Sequence, residues 1–183
     1  VTFAVSGAGK SYATKLEILR SLMFGVDVIV IDPENEYRYL AEAAGGAYFN
    51  FSLTSPNHIN PFDLPIPRED EAPSNILRSN IINLIGFFRI LLGGLSPQED
   101  AVLDRAIAET YAARDITPEA DFANAVPPTL SDLELVLANT DGGEELAMRL
   151  KKYTQGTWAG FVNQQTNIDV KNRLVVFSVR DME

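Results

Sequence analysis

The chain has 183 residues, 46% of them hydrophobic, with no cysteine and a formal net charge of -10. This length and composition are typical of a globular protein with one sizeable core and room for a smaller subdomain. The lack of cysteine excludes disulfides and thiolate metal sites, and it favours a reducing compartment such as the cytoplasm. The negative charge argues against a protein-wide nucleic-acid surface. Most of the acidic excess lies in residues 96–150, where we expect solvated helix faces, the alternative being a docking site for a basic partner.

The first 32 residues predict a strand, a glycine loop, a helix and a second strand. VTFAV is a short apolar run at residues 1–5, and Gly25 marks the end of the helix. VDVIVID is a continuous apolar run ending on Asp32, as in a parallel strand buried on both faces. This order indicates a βαβ unit. The helix is expected to bury one face made of Tyr12, Leu16, Leu19 and Met23.

The rest of the chain turns helical before it returns to a strand. ENEYRYLAEAA predicts a short helix, AYFNF a strand, and the proline-rich SLTSPNHINPFDLPIP a loop. Helices are predicted for SNILRSNIINLIGFFRILL, from Pro97 to about Ala113, for LELVLAN and for GEELAMRLKKYT, with S-x-x-E caps at Ser96 and Ser131. NRLVVFSV predicts the last strand. The longest apolar stretch, residues 81–95, is interrupted by Asn83 and Arg89, so it predicts a buried helix and no membrane span.

Strand-rich ends therefore flank a helical middle, as when an all-helical subdomain is inserted into an α/β core with a parallel sheet. The predicted domains are the first part of the core at 1–66, the helical insertion at 67–165 and a return strand of the core at 166–183. The chain begins and ends abruptly within strand-like or charged segments, so we expect it to be part of something longer.

The loop SGAGKS has the residue types of a phosphate-binding loop. Small residues let backbone N–H groups surround a polyphosphate, Lys10 would neutralise its β and γ oxygens, and the Ser11 hydroxyl would hold Mg²⁺. Ala4 stands where the usual pattern has its first glycine, and the alternative is a set of small residues that only cap a helix. The predicted nucleotide-binding residues are Ser6, Gly7, Ala8, Gly9, Lys10, Ser11 and Tyr12, with Lys10 as the catalytic group.

A second candidate site follows the strand VIVID. Its last residue, Asp32, has the local spelling of an acid that holds a Mg²⁺ shell, and Glu34 and Glu36 are close behind. The alternative is that Asp32, followed by Pro33, caps the next helix. The number of residues between Lys10 and Asp32 does not decide whether Asp32 is a magnesium ligand or a helix cap.

The motif order SGAGKS, VIVIDPENEY, HINPFDL, PPTLSDL and QTNIDVKNRLVVFSVRDME closely resembles the C-terminal ATPase domain of the VirB-four, TraC and TrbE type of conjugation and type IV secretion ATPases. These belong to the wider FtsK/HerA superfamily, and the resemblance covers essentially the whole chain. It implies a P-loop NTPase (RecA/FtsK-like) core with an inserted helical subdomain. It also implies ATP and Mg²⁺ as cofactors and makes Asp32 a structural or indirect acid. In that family the Walker B strand, the glutamine motif and the arginine finger follow the strand matching LVVFSV, so the chain alone is expected to hydrolyse ATP poorly.

The same resemblance implies a dimeric or hexameric motor at the cytoplasmic face of a bacterial inner membrane, with other type IV secretion components as partners. It would power channel assembly and substrate transfer. Two other functions stay open: a FtsK/HerA-like DNA translocase, which the charge does not favour, and a nucleotide-dependent assembly module that does not hydrolyse ATP.

Overall fold

The structure, a computed structural model, describes residues 9–52, 55–65, 72–120, 122 and 124–182. The chain divides into two compact units, Val1–Asn57 with Asn167–Glu183, and His58–Thr166. The predicted first strand at residues 1–5 lies outside the described residues, as do Ser6, Gly7 and Ala8 of the predicted loop.

In its described residues, the first unit is a three-stranded parallel sheet with helices. The strand at Leu174–Ser178 lies between those at Val28–Asp32 and Ala47–Asn50, so the last of these strands in sequence is the central one. The predicted strands at VIVID, AYFN and LVVFS and the predicted α/β class are confirmed. The elements are α1 (Lys10–Met23), β1 (Val28–Asp32), α2 (Arg38–Ala43), β2 (Ala47–Asn50), β3 (Leu174–Ser178) and a 3₁₀ turn at Arg180–Met182.

One face of this sheet carries a small apolar cluster. Successive strand side chains alternate between faces, so Val30 shares a face with its partner Val176. Ile18 of α1 and Ala41 of α2 are buried on Leu174 and Val176 of this face. The two helices therefore cover the same side of the sheet.

The predicted buried face of α1 is wrong by one residue. Tyr12 and Met23 are 69% and 85% exposed, and Leu16 and Leu19 also face outward, whereas Ile18 is only 7% exposed and Leu22 packs beside it. The row 11, 15, 18 and 22 has the same helical spacing as the predicted row 12, 16, 19 and 23. Hydrophobicity favours the second row, but contact with the sheet selects the first.

The opposite face of the sheet is aromatic at its centre and open at its edge. The Phe177 ring stacks on Phe49 and Phe51, with ring centroids 6.0 and 5.5 Å apart. On β1 the neighbouring positions Ile29 and Ile31 are 70% and 72% exposed. Among the described strand residues, the large apolar side chains exposed on this face are thus those of the edge strand β1.

The second unit is helical and encloses the larger core. Tyr111, Phe62 and Phe88 are fully buried in it, together with leucines from the longer helices. Its elements are α3 (Pro73–Leu91), α4 (Pro97–Ala112), α5 (Leu130–Ala138), α6 (Glu144–Thr154) and α7 (Ala159–Val162). Among the described residues, none of the helices has the length and apolar character needed to cross a membrane.

One of the two predicted helix caps is correct and the other is displaced. At α4 the Ser96 N–H donates to Glu99 Oε2 at 2.7 Å and the Glu99 N–H donates back to Ser96 Oγ at 3.2 Å. At α5 the cap is Thr129, whose N–H donates to Asp132 Oδ2 at 2.7 Å, and not Ser131. Pro127 and Pro128 favour an extended backbone just before Thr129, which starts the helix earlier than predicted.

The helical unit begins at His58, earlier than the predicted domain limit after residue 66. Phe62 explains this difference, because its ring packs against Phe88 and Tyr111 at centroid distances of 6.1 and 5.6 Å. The loop HINPFDL thus belongs by its contacts to the helical core.

Candidate functional site

Helix α1 begins with backbone amides that no side chain of the described residues caps. Gly9, the residue before it, has φ 79° and has no atom within 4 Å of where a Cβ would stand. The first intrahelical hydrogen bond runs from Ala13 N to Gly9 O at 2.9 Å, so the N–H groups of Lys10, Ser11 and Tyr12 have no partner within the helix. Such an N-terminus carries partial positive charge and is suited to bind an anion.

The side chains at this N-terminus suit a phosphate ligand. Lys10 is exposed, Ser11 is half-buried, and the first turn contains no acidic residue that would repel an anion. Tyr12, also predicted to bind nucleotide, is exposed. The described part of the predicted loop therefore provides a cation, a hydroxyl and amides without a partner in the helix, all within three residues.

The N-terminus of α1 lies toward the carboxyl edge of the parallel sheet. Helix α1 ends at Met23, shortly before β1 begins, while Lys15 in its second turn contacts Tyr37, which follows the carboxyl end of β1. The helix thus runs antiparallel to β1. In open α/β sheets, ligands bind in the crevice outside the carboxyl ends of the strands.

Asp32 is held in a structural contact at this same edge. It is 1% exposed, and its Oδ2 accepts a hydrogen bond of 2.9 Å from the backbone N–H of Tyr37, the residue before α2. The contact holds the loop before α2, but Asp32 is not the N-cap of that helix, which is Tyr37 and has no side-chain cap. Glu34 and Glu36 are exposed. No cluster of three or more acidic or histidine side chains suited to a metal ion occurs within the described ranges.

Two further polar atoms, Asn50 Oδ1 and Ser178 Oγ, are buried at the strand ends. Asp32 and Asn50 both pair in register with Ser178, so the three residues form a row across the sheet. Asn50 Nδ2 donates to Asp181 Oδ2 at 2.8 Å, but neither Asn50 Oδ1 nor Ser178 Oγ has a hydrogen-bond partner among the described residues. The sequence prediction did not single out Asn50 or Ser178.

The sequence motifs HINPFDL and PPTLSDL contact each other inside the helical unit, where their polar groups belong to one hydrogen-bond network. Asn60 of HINPFDL is 2% exposed, and its Nδ2 donates to Pro128 O of PPTLSDL at 2.8 Å and to Gln165 Oε1 at 3.2 Å. Its N–H donates to Thr166 Oγ1 at 2.7 Å, and the Thr166 hydroxyl donates to Asp63. The network joins the two ends of this unit.

A buried tyrosine extends this network into the core. Asn80 Nδ2 donates to the Tyr111 hydroxyl at 2.7 Å, and that hydroxyl donates to Phe62 O at 2.8 Å. Burial raises the pKa of Tyr111 well above its ordinary value, so it stays a neutral donor at physiological pH. HINPFDL and PPTLSDL therefore have a structural role within the helical unit.

The fold and the start of α1 together define the class of protein. A parallel α/β sheet in which a glycine, Lys10 and Ser11 begin a helix at the carboxyl edge is a P-loop nucleoside-triphosphatase fold. Residues 1–86 match the family model described as the TraG P-loop domain. VirB4 of Thermoanaerobacter pseudethanolicus is similar in structure over 97% of this chain, with 31% sequence identity and a TM-score of 0.80.

These two matches assign the chain to the VirB4/TraG type of P-loop proteins. The alignment covers 48% of that VirB4, so the chain spans about half its length. No curated protein matches the sequence.

Proposed function

We propose that the chain is the ATP-binding part of a type IV secretion or conjugation ATPase that powers channel assembly and substrate transfer. The observation that carries the proposal is the start of α1 at Lys10, directly after the left-handed Gly9, within the segment that matches the TraG P-loop domain. The structural similarity to VirB4 supports the secretion context.

The residues at the start of α1 take the following roles in this proposal. The N–H groups from Gly7 to Lys10 and the helix dipole hold the phosphates, with Ser6 and Tyr12 at the two ends of the loop. Lys10 neutralises charge on the β and γ oxygens, and the Ser11 hydroxyl is the Mg²⁺ ligand. Bound Mg²⁺ would add charge neutralisation at the transferring phosphoryl group. Asp32 stabilises the loop before α2, and Glu34 and Glu36 remain acidic candidates near the same edge.

The wider setting is part of the same proposal. By similarity to VirB4, we propose a homo-oligomer, a dimer or a hexamer, that works at the cytoplasmic face of the inner membrane with other type IV secretion components. The helical unit is then an insertion into the nucleotide-binding domain.

Nucleotide binding by the chain and by a Lys10→Ala variant tests the assignment of this site. Isothermal titration with Mg²⁺–ATPγS should show binding by the wild type and a loss of at least about tenfold in Lys10→Ala, because a charge-assisted contact to phosphate is removed. Lys171→Ala, which removes an exposed lysine of the same unit, serves as the control and should bind normally. A wild-type chain that binds no nucleotide contradicts the proposal.

ATP hydrolysis and DNA binding by the intact protein distinguish the proposed motor from the two other functions, an assembly module and a DNA translocase. ATP turnover above the Lys10→Ala background supports a motor, whereas binding without turnover supports an assembly module. Duplex-DNA binding with a steep salt dependence supports a translocase.

A further inference from the structure

A row of three polar side chains crosses the sheet unit at the carboxyl ends of its described strands. Asp32 on β1 and Asn50 on β2 are both register partners of Ser178 on β3, which lies between them. Ser178 follows Val176 by two residues, so its side chain lies on the face that α1 and α2 cover. Neighbouring strands are about 4.8 Å apart, so a ligand over the central residue can contact all three side chains.

Two oxygens of this row are buried without a hydrogen-bond partner. Ser178 is fully buried, and neither its Oγ nor Asn50 Oδ1 has a partner among the described residues. The orientation of the Asn50 amide is fixed, because Nδ2 donates to Asp181 Oδ2 at 2.8 Å and an oxygen in its place would repel that carboxylate. Buried polar atoms without a partner are rare, and a bound ion or water molecule is a common reason for them.

The third member of the row supplies negative charge. Asp32 is 1% exposed, and none of the ion pairs within the described ranges involves it. Its Oδ2 accepts a hydrogen bond from the Tyr37 N–H, whereas a carboxylate has about four acceptor positions in all. Burying a carboxylate is costly unless its charge is compensated. The charge of Asp32 therefore favours a cation over a water molecule as the ligand of the row.

The backbone at the strand ends holds these side chains in place. The Val179 N–H donates to Asp32 O at 3.2 Å, and the Phe51 N–H donates to Ser178 O at 2.8 Å. Hydrogen bonds between the strands thus continue to the residues of the row. Ligands that project from a rigid sheet lose little conformational freedom when they bind an ion.

We propose that the Asp32 carboxylate, Ser178 Oγ and Asn50 Oδ1 together bind a hard cation at the carboxyl edge of the sheet. All three ligands are oxygens, which suits Mg²⁺ and Ca²⁺ better than a transition metal. The site is separate from the Mg²⁺ that Ser11 holds in the proposed function. The inference therefore does not depend on nucleotide binding.

Titration of the chelator-treated full chain with MgCl₂ and with CaCl₂, in the absence of nucleotide, tests the proposal. Calorimetry should show one ion per chain, with a dissociation constant below about 1 mM. Ser178→Ala should weaken binding by at least about fivefold, because it removes a neutral ligand. Asp32→Asn keeps an acceptor for the Tyr37 N–H but removes the charge, so it should abolish measurable binding.

Two control variants change the same residue types near the opposite edge of the sheet. Asp27 is exposed directly before β1, and Ser21 lies near the C-terminal end of α1. Asp27→Asn and Ser21→Ala should both bind the ion like the wild type. Equal affinity in Ser178→Ala and Ser21→Ala would show that the Ser178 hydroxyl is not a ligand and would overturn the proposal.

Exposed acids near the row could bind the ion in its place. Glu34 and Glu36 follow β1 and are exposed. A double variant, Glu34→Gln with Glu36→Gln, should retain the ion if the buried row binds it. If this double variant loses the ion while Asp32→Asn retains it, the ion binds at the surface and the proposal is wrong.

Thermal unfolding distinguishes an ion ligand from a hydroxyl that only stabilises the fold. Without added ions, Ser178→Ala should unfold at the wild-type temperature or above it. Saturating Mg²⁺ or Ca²⁺ should raise the unfolding temperature of the wild type and raise that of Ser178→Ala less, because an ion that binds only the folded state stabilises it.

The same measurement with KCl determines the charge of the cation. An increase with K⁺ that depends on Asp32 and Ser178, without one from the divalent ions, would identify a monovalent cation on the same ligands. If no cation raises the unfolding temperature, and Ser178→Ala is already less stable than the wild type, the buried oxygens bind water and the proposal is wrong.

Discussion

The helical unit and the sheet unit differ in how much apolar surface each buries. The helical unit has a continuous core in which Phe62, Phe88 and Tyr111 are fully enclosed. The described sheet unit has a small cluster on one face, while Ile29 and Ile31 of β1 remain exposed on the other. The residues proposed to bind nucleotide belong to the less densely packed unit. Stability of the chain and ligand binding should therefore respond to different substitutions.

The largest effect on stability should come from the core of the helical unit. Phe88→Ala leaves a cavity among Phe62 and Phe87, so we expect the free energy of unfolding to fall by about 3–5 kcal/mol in urea denaturation. Ile90→Ala changes a residue on the same helix that is 84% exposed and should have an effect within about 0.5 kcal/mol. Similar losses for the two variants would disprove the assigned core.

In the sheet unit the contrast between Ile18 and Leu19 tests the buried face of α1. Ile18→Ala removes a residue that is 7% exposed, and we expect a loss of about 2–3 kcal/mol. Leu19→Ala, at 38% exposure, should cost less than about 1 kcal/mol. Thermal unfolding of both variants measures the difference, and a larger effect for Leu19→Ala would restore the face predicted from the sequence.

The polar network of the helical unit gives a third comparison. Asn60→Ala leaves the Pro128 carbonyl and the Phe62 N–H without their partner, which should destabilise the unit by about 1–3 kcal/mol. Asn83→Ala, at an exposed position of α3, is the control for an asparagine outside the network. Nucleotide binding should be unchanged in Asn60→Ala. A selective loss of binding would contradict the structural role given to HINPFDL.

Acid should weaken the helical unit through its two helix caps. The hydrogen bond from the Ser96 N–H, with Arg149 nearby, lowers the pKa of Glu99. Burial acts to raise the pKa of Asp132, but hydrogen bonds from Thr129 and Arg114 outweigh it and lower the pKa. A carboxylate whose pKa is depressed on folding contributes stability above its unfolded pKa and loses it as the pH falls through the folded value.

We therefore expect the unfolding free energy to be nearly constant above about pH 5 and to fall below about pH 4. Glu99→Gln and Asp132→Asn should each make this fall shallower, as followed by circular dichroism during acid titration. If the unfolding free energy falls as steeply with pH in both variants as in the wild type, the two caps do not cause the fall.

The smallest expected effect concerns Ser178. Because its buried hydroxyl has no partner among the described residues, Ser178→Ala should leave stability unchanged or raise it by about 1 kcal/mol. Asn50→Ala is the contrasting variant, because it removes the hydrogen bond to Asp181 and should therefore destabilise the sheet unit. A clear loss of stability in Ser178→Ala would show that its hydroxyl makes a contact in solution.

Local sequence features predicted much of the fold. The strands VIVID and LVVFS and the cap from Ser96 to Glu99 follow from short apolar runs and from groups three residues apart, and the structure confirms them. The glycine, Lys10 and Ser11 likewise lie at the start of a helix, as their spacing predicts. The polar role of Asn60 was not predictable, since its partners Pro128 and Gln165 are distant in sequence.

The sequence by itself determined most of the described elements and the α/β class, because helix periodicity, apolar runs and capping groups act over a few residues. Only the tertiary structure decided which face of α1 is buried, which residue caps α5 and that Asp32 is engaged by the Tyr37 N–H. Those outcomes depend on burial against distant strands and on hydrogen bonds that exist only once the chain is folded, and no local pattern contains that information.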